Sequence, residues 1–582
     1  MSTLDWAVLA VYLVGIVGFG LWAGRGNRRI DDFFLAGREM RWWAVGLSVM
    51  ATQISAITFI GTTGQAYTDG MRFLVVYFGL PFAMVILCAT LVPFFYQARV
   101  FTAYEYLERR FDARTRTLTS LLFLLSRGLS VGVTLYAPSL VLSVLLGWGE
   151  APTVLLMGLS TIVYVMYGGN RSVIWTDVVQ MAIIWAGILL CFGVAIRQLP
   201  DDVGLRDALA LAQAGDKLRV MDGSPSLTQP YTLWSGLVGG LFLMLSYFGC
   251  DQSQVQRYLS GKSLTQSRLS LLFNAFLKVP MQFLILLTGV LVFVFYHFHA
   301  PPILWNRVEL HRLEREAPRE LAAAREGFER AYAARRVAAD EYVATRSAEA
   351  AERYRERGRE LEAARRVAVD IADRTTTREA RSPLADRLAR ILGIKAPTYN
   401  DTNYIFPTYV LTQLPRGLAG LVIAVIFAAA MSTLSGEFNS LATATMVDFY
   451  KRYVRPSGGD AHELLVSRLL TAFWGGFACL VALQAGRLGT AIEVVNRFGS
   501  YFYGSILGVF ALAVLTPRAG PRGAFYGLVV GMSTVALVAW TTSIHFLWYN
   551  LIGTLAVLVS GLAITALSGE APAAAPQGTQ RS

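Results

Sequence analysis

Apolar residues run along this chain in blocks of about 20, separated by short polar and basic stretches, the pattern of a membrane-spanning helical bundle. Candidate spans lie near residues 5–24, 43–66, 72–97, 117–146, 152–168, 174–197 and 231–250. They continue near 269–298, 406–434, 463–485, 493–516, 523–542 and 546–567, which predicts an all-α polytopic membrane protein with about thirteen transmembrane helices. No basic segment or small-residue cleavage site precedes the first run, so it is expected to stay as a helix. One region departs from the pattern. Between Trp305 and Lys395 the chain is Ala/Glu/Arg-rich, and Leu321, Ala324, Phe328, Ala331, Ala338 and Tyr342 recur at helical spacing, which predicts a long helix or helical hairpin with a thin apolar seam. A solvated projection is the plain expectation for such an insert; a docking platform for a partner is the alternative.

Charge fixes the orientation expected. Lys/Arg clusters alternate between loops: Arg25 to Arg41, Arg99 to Arg116, Arg257 to Arg268, Lys451 to Arg455, and Arg518 with Arg522. The positive-inside rule makes these loops cytoplasmic, with the N-terminus outside and the C-terminus inside a plasma (inner) membrane. Loop 198–230 and the insert then face outward. The net charge of +12 is thereby accounted for by membrane topology, so the bilayer rather than nucleic acid is the expected environment. Of the chain's residues, 54% are hydrophobic and 16% charged, and 38 of the 92 charged residues fall in the insert, which excludes most soluble enzymes. The four cysteines lie in or beside apolar runs and read as core residues, and the five histidines form no ligand-spaced cluster. No nucleophile–base constellation stands out, so an enzyme is not expected.

Four intramembrane features resist a lipid-facing reading. Residues 51–67, ATQISAITFIGTTGQAY, interrupt a span with hydroxyls and glycines, and Gly61 and Gly64 are candidate break points. An unwound helix frees carbonyls, which suit a hard cation such as Na+; small-residue helix packing is the competing account. Ser432, Thr433 and Ser435 then place three hydroxyls within one stretch, a donor set without carboxylate that fits a monovalent ion released in every cycle. Asp177, Lys278 and Arg127 put charge inside predicted spans, where such residues pair, face the interior or mark an ion path; Lys278 is near enough to a boundary to snorkel. Finally, Gly239 and Gly240 could break the span 231–250 as Gly61 and Gly64 could break the earlier one. Two interrupted spans five helices apart point to an inverted-repeat transporter with its site at the midplane.

Five collinear stretches, ISAITFIG (54–61), TAYEYLERRF (102–111), YGGNRSVIWTDVVQ (167–180), DQSQVQRYLS (251–260) and LPRGLAGLVIAVIFAAAMSTLS (414–435), resemble the sodium:solute symporter family, which includes sodium/glucose, proline, sialic acid and iodide symporters. The resemblance implies a LeuT-type fold of two five-helix inverted repeats, about 43–197 and 231–485. The expected organisation is an extra N-terminal helix and cytoplasmic loop (1–42), the first repeat with the start of the second (43–302), and the outer insert (303–395). The rest of the second repeat with the following helix (396–516), C-terminal helices (517–568) and a disordered tail (569–582) complete it.

The resemblance also implies a sodium site on the carbonyls of Ala51, Ile54 and Ala429 with the hydroxyls of Ser432 and Thr433. Asp177 matches an acidic residue tied to sodium passage or to a second sodium, for which Ser435 would supply a hydroxyl while Gly436 removes one. Substrate-binding candidates are Gln53, Ser55, Thr58, Tyr77, Arg127, Met244 and Lys278. Tyr77 and Met244 stand where the galactose-carrying branch has polar contacts, which argues against a hexose in that pose. The arginine of sialic acid symporters aligns with Ser130, one helical turn from Arg127, so Arg127 becomes a candidate for holding an anionic or zwitterionic solute. Tyr247 matches an inner-side gate. The expected function is sodium-coupled import of a small organic solute by alternating access; proton coupling and, further off, a membrane sensor are the rivals.

Overall fold

The computed structural model describes residues 2–201, 203–379, 399–456, 458–488 and 491–569, without the side chains of 57, 376–379 and 486–500. Among these residues the chain is helical, with a lone bridge between Met40 and Gly261 and no strand. Nine helical stretches among the described residues are long and apolar enough to cross a membrane, and Ser235–Cys250 and Tyr501–Leu515 are shorter apolar helices. The first helix, α1 (Thr3–Ala23), starts at a capping box in which Ser2 and Asp5 satisfy each other's backbone amides. After the short α2 (Ile30–Leu35) comes a helix in two halves, α3 (Trp42–Gln53) and α4 (Ala56–Asp69). A 3-10 stretch (Gly70–Tyr77), α5 (Leu80–Ala89) and α6 (Leu91–Ala98) form the next pass, and α7 (Ala103–Arg110) leads into α8 (Ala113–Leu146).

The spans expected at 152–168 and 174–197 are two helices joined at a sharp corner within α9 (Glu150–Arg197). The bend falls at Gly169, whose φ of 55° and ψ of −151° no L side chain adopts comfortably. The Phe33 carbonyl would lie 2.3 Å from a Cβ there, so α2 is wedged into the corner. After α10 (Leu205–Ala214), a π-turn at Ser235–Gly239 runs without interruption into α11 (Gly240–Cys250). Gly239 and Gly240 therefore do not break this span. They allow close packing against the Leu547 and Val76 carbonyls, 2.8 and 2.6 Å from the positions of added Cβ atoms. The helix breaks instead at Asp251, which is extended and caps α12 (Gln252–Leu259) by accepting from the Ser253 amide.

The long α13 (Leu264–Phe298) ends at the insert, where α14 (Arg307–Glu316), α15 (Pro318–Thr345) and α16 (Ala348–Glu379) make the expected hairpin. Its seam buries Leu321, Phe328, Leu361 and Ile371. The hairpin is no free projection, however. Ala338, Ala339 and Tyr354 pack with Leu286, Val290 and Phe293 of α13 and Leu211 of α10. Tyr332 donates to the His297 carbonyl (3.1 Å) and Arg335 to that of Tyr296 (2.8 Å). The end of the insert, 380–398, lies outside the described residues. The span expected at 406–434 is in fact a short α17 (Ile405–Gln413) followed by α18 (Leu418–Ala444), because Pro415 and Gly417, at φ 86°, reverse the chain between them. Helices α19 (Asp460–Leu488), α20 (Ala491–Leu515), α21 (Pro521–Thr541) and α22 (Tyr549–Ser568) close the bundle, and from residue 570 the tail lies outside the described residues. The most deeply buried of the membrane-length helices described is α18, whose residues from Val422 to Ala444 are buried without exception. It is the post around which the other helices pack.

Candidate functional site

The break between α3 and α4 falls at Ile54 and Ser55, not at Gly61 or Gly64. Gly64 is helical, and its missing side chain admits the Thr402 carbonyl, 2.2 Å from where a Cβ would stand. At the break Ile54 leaves helical geometry (ψ 88°) and the Ser55 hydroxyl takes the Thr58 amide (3.2 Å). The Ile54 carbonyl is thereby left outside the ladder.

That carbonyl meets the hydroxyls of α18. Thr433 Oγ1 lies 3.5 Å from the Ile54 oxygen, 3.4 Å from that of Thr52 and 3.1 Å from that of Ala429. Ser432 Oγ lies 3.2 Å from the Ala51 oxygen and 3.1 Å from that of Ala429. The five groups named from the sequence thus converge, with Thr52 as a sixth oxygen that sequence reasoning missed. Oxygens at about 2.4 Å from a hard cation stand about 3.4 Å apart in an octahedral shell, a spacing these oxygens match. All of it is buried.

Asp177 of α9 is fully buried one layer away, accepting from Ser48 (2.6 Å) of the same broken helix. Arg257 Nε stands 3.8 Å from it. Arg257 corrects the sequence expectation: it does not sit in a cytoplasmic loop but is wholly buried, donating to Thr52 Oγ1 (3.1 and 3.2 Å) and to Asn170 Oδ1 (2.9 Å). Gly436 makes room for it, since a Cβ there would lie 2.2 Å from the guanidinium. The only available signal was the DQSQVQRYLS stretch itself. Ser435 is turned to the Ser432 carbonyl (2.9 Å).

Arg127 is engaged. It meets Asp251 at 2.5 Å and Glu437 at 3.0 Å, and lies over the rings of Tyr247 and Tyr503 at 5.3 and 5.5 Å. Tyr503 also donates to Asp251 (2.8 Å). With two carboxylates already on its fork, Arg127 bridges α8, the second broken helix and α18 in this conformation and is not presented to a solute carboxylate. Ser130 hydrogen-bonds back to the Arg127 carbonyl (3.4 Å). Half-buried Tyr247 lies against this cluster, accepting from Gln254 (3.0 Å).

The remaining candidates gather where the broken helix, the 3-10 stretch, α11 and α13 meet. Gln53 Nε2 contacts Met244 Sδ (3.6 Å), leaving its Oε1 unpartnered, and Ser55 and Thr58 pair with each other (3.2 Å). Lys278 does not snorkel: it is fully buried, and its ammonium has no hydrogen-bond partner among the described residues, only the Tyr77 ring at 5.5 Å. One turn on, Gln282 donates to Thr62 (3.1 Å) with its own oxygen unpartnered.

A family model for the sodium:solute symporter family matches residues 33–304 and 384–531, well over half of the chain. The protein belongs to that family. A sodium/sialic acid symporter of Aliivibrio fischeri is 26% identical over 568 residues, covering 96% of this chain and 92% of the relative. A sodium/glucose cotransporter of Vibrio parahaemolyticus is 26% identical over 543 residues, covering 91% and 84%. The solved structure of a substrate-bound, outward-open Na+-coupled sialic acid symporter superposes with a TM-score of 0.76 at 25% identity, covering 99% of both chains. The fold is accordingly the LeuT type expected, and the protein is a sodium-coupled symporter of a small solute, a multi-pass membrane transporter that works by alternating access. Broken helix α3/α4 lies against unbroken α18.

Proposed function

We propose that this symporter imports a small organic carboxylate together with one sodium ion. Sodium would sit among the Ala51, Ile54 and Ala429 carbonyls and the Ser432 and Thr433 hydroxyls, tying the broken helix to α18 and favouring the outward-open form. The single observation that carries the substrate class is Lys278. A fully buried ammonium without a hydrogen-bond partner is costly in a membrane, and a solute carboxylate is the group that relieves it. Beside it Tyr77 offers a ring face, and Met244 at Gln53 offers thioether surface, rather than the paired donors and acceptors that a sugar needs.

One sodium is argued from Arg257. Its guanidinium fills the space beside Gly436 and stands by Asp177, so the neighbourhood of a second cation is already positively charged. Asp177 then serves as a relay on the inward exit path, with Tyr247 as the inner gate. The basic loops support an inner-membrane location with the N-terminus outside, and the reading assigns no chemical step, a transporter rather than an enzyme.

Uptake into proteoliposomes of labelled monocarboxylates, sialic acid, amino acids and sugars, under an inward gradient of sodium or of choline, tests this. Carboxylate uptake seen only with sodium is the expected result. Sodium-driven uptake of neutral sugars alone overturns the substrate class, and uptake that follows a proton gradient instead overturns the ion.

A further inference from the structure

A cavity of about 530 Å³ lies on the outer side, between the insert and the outer ends of the transport helices. Its floor is Tyr67, Thr68 and Asp69 at the end of α4, with Phe293 of α13, and its roof is the α15–α16 hairpin. The volume is in the range of ligand pockets. Its lining is charged unequally. Arg335, Arg355, Arg359, Arg365 and Arg366 face Asp69, Asp216 and Glu362 across it. Asp216 is paired with Arg72, Arg365 with Asp401 and Arg355 with Glu352, all three partners lying outside the lining, so Asp69 and Glu362 answer the three guanidinium groups of Arg335, Arg359 and Arg366. A lysine in the wall, Lys217, donates to the Thr68 carbonyl, and burial pushes its amine below the ordinary lysine value.

Two of the arginines are built into the wall with donors to spare. Arg335 is 5% exposed; it spends one nitrogen on the Tyr296 carbonyl, and its Nε is buried with no partner. Arg365 holds Asp401 with one nitrogen while its Nε is likewise buried and unpartnered. Arg359 and Arg366, by contrast, make no hydrogen bond or ion pair among the described residues and sit exposed at the rim. Aromatic faces of Tyr67, Trp305 and Tyr354 complete the wall. Buried unpartnered guanidinium donors beside an apolar face match an organic anion, because planar N–H pairs fit carboxylate geometry and the rings take the carbon skeleton. A neutral polyol would leave the charge uncompensated.

We infer that the insert builds an outer vestibule site that binds a small organic carboxylate independently of sodium, above the central site. The guanidinium lining is supplied wholly by the insert, so the site exists only because this chain carries it. This site is formed by the cavity and does not involve Lys278, so it and the central carboxylate site can fail independently. The carboxylate bound there is the transported solute in transit or a separate regulatory anion, and uptake kinetics separate the two.

The test uses the full-length protein in nanodiscs, with calorimetric titration of N-acetylneuraminate, pyruvate and citrate, and of glucose as the neutral control, in choline buffer and again in sodium. At least one carboxylate is expected to bind saturably in choline, while glucose does not. The rim variant Arg359→Gln/Arg366→Gln, which touches no internal contact, should weaken that binding at least tenfold, Arg359→Lys/Arg366→Lys should weaken it less, and Lys278→Gln should leave it intact. If the transported solute is what binds, the Gln pair also raises KM for uptake with kcat unchanged; if a regulatory anion binds, KM holds and the anion's effect on rate disappears. Absence of carboxylate binding in choline, equal binding of glucose, or binding unmoved by the rim variant overturns the site.

Discussion

At the scale of single residues, oxygen geometry and unpaired charge carry the argument. Thr433 Oγ1 approaches carbonyls of both the broken helix and α18, so in the proposed mechanism it would couple the ion to the conformation. Thr433→Ala should raise the sodium concentration for half-maximal uptake about tenfold or more and alter substrate affinity little at saturating sodium; an unchanged sodium dependence would show the ion site to be elsewhere. Lys278→Gln should raise KM for a carboxylate solute by a similar factor without moving the sodium response. Arg127 belongs to a different class. Its carboxylate partners Asp251 and Glu437 are buried, so Arg127→Gln strands two charges and should cost about 3–5 kcal/mol, read as a lower melting temperature, whereas Arg127→Lys should leave substrate affinity within about threefold. A large affinity loss in the lysine variant, with stability kept, would restore Arg127 to the substrate site.

Elements are shaped by a few residues that stop or bend helices. Ser55 both ends α3 and caps α4, while Asp251 does the same between α11 and α12, so the chain has two broken helices as the sequence suggested, each broken by a cap and not by glycine. Glycines serve another purpose here. Gly169 turns α9 through its corner at positive φ, and Gly436 lets a buried guanidinium reach the face of α18. Gly436→Ala sets a methyl group against Arg257 and should destabilise the protein by about 1–3 kcal/mol, with loss of uptake at a preserved expression level. Thermal denaturation by intrinsic fluorescence alongside transport would check both halves, and a variant as stable and active as the wild type would show that Arg257 can retract.

For the whole molecule the coupling is a matter of charge. One sodium carries about 2.3 kcal/mol per 100 mV plus about 1.4 kcal/mol for a tenfold gradient, about 3.7 kcal/mol in all and enough for about 500-fold accumulation of a neutral solute. Co-import with a monocarboxylate is electroneutral, so the voltage contribution cancels and accumulation should follow the sodium ratio alone. Uptake of a monoanion should thus be insensitive to an imposed potassium-diffusion potential, and marked acceleration by inside-negative voltage would require a second cation. The flanks of the insert meet where Asp401 accepts from the Trp305 amide (2.7 Å), and its hairpin is packed onto α13 and α10. What the sequence determined by itself was whatever depends on transfer from water to lipid and on local donor chemistry. Those were the spans, the interrupted helix at 51–67, and the hydroxyls of Ser432 and Thr433 that face it. Only tertiary structure decided the partners of buried charge. Arg257 and Lys278 are both cations near span ends in one dimension, yet one is locked between Thr52, Asn170 and Asp177 and the other is left without a hydrogen bond. Hydropathy scores a charge by its neighbours in the chain, whereas its energy is set by neighbours in space, which the fold draws from helices hundreds of residues apart.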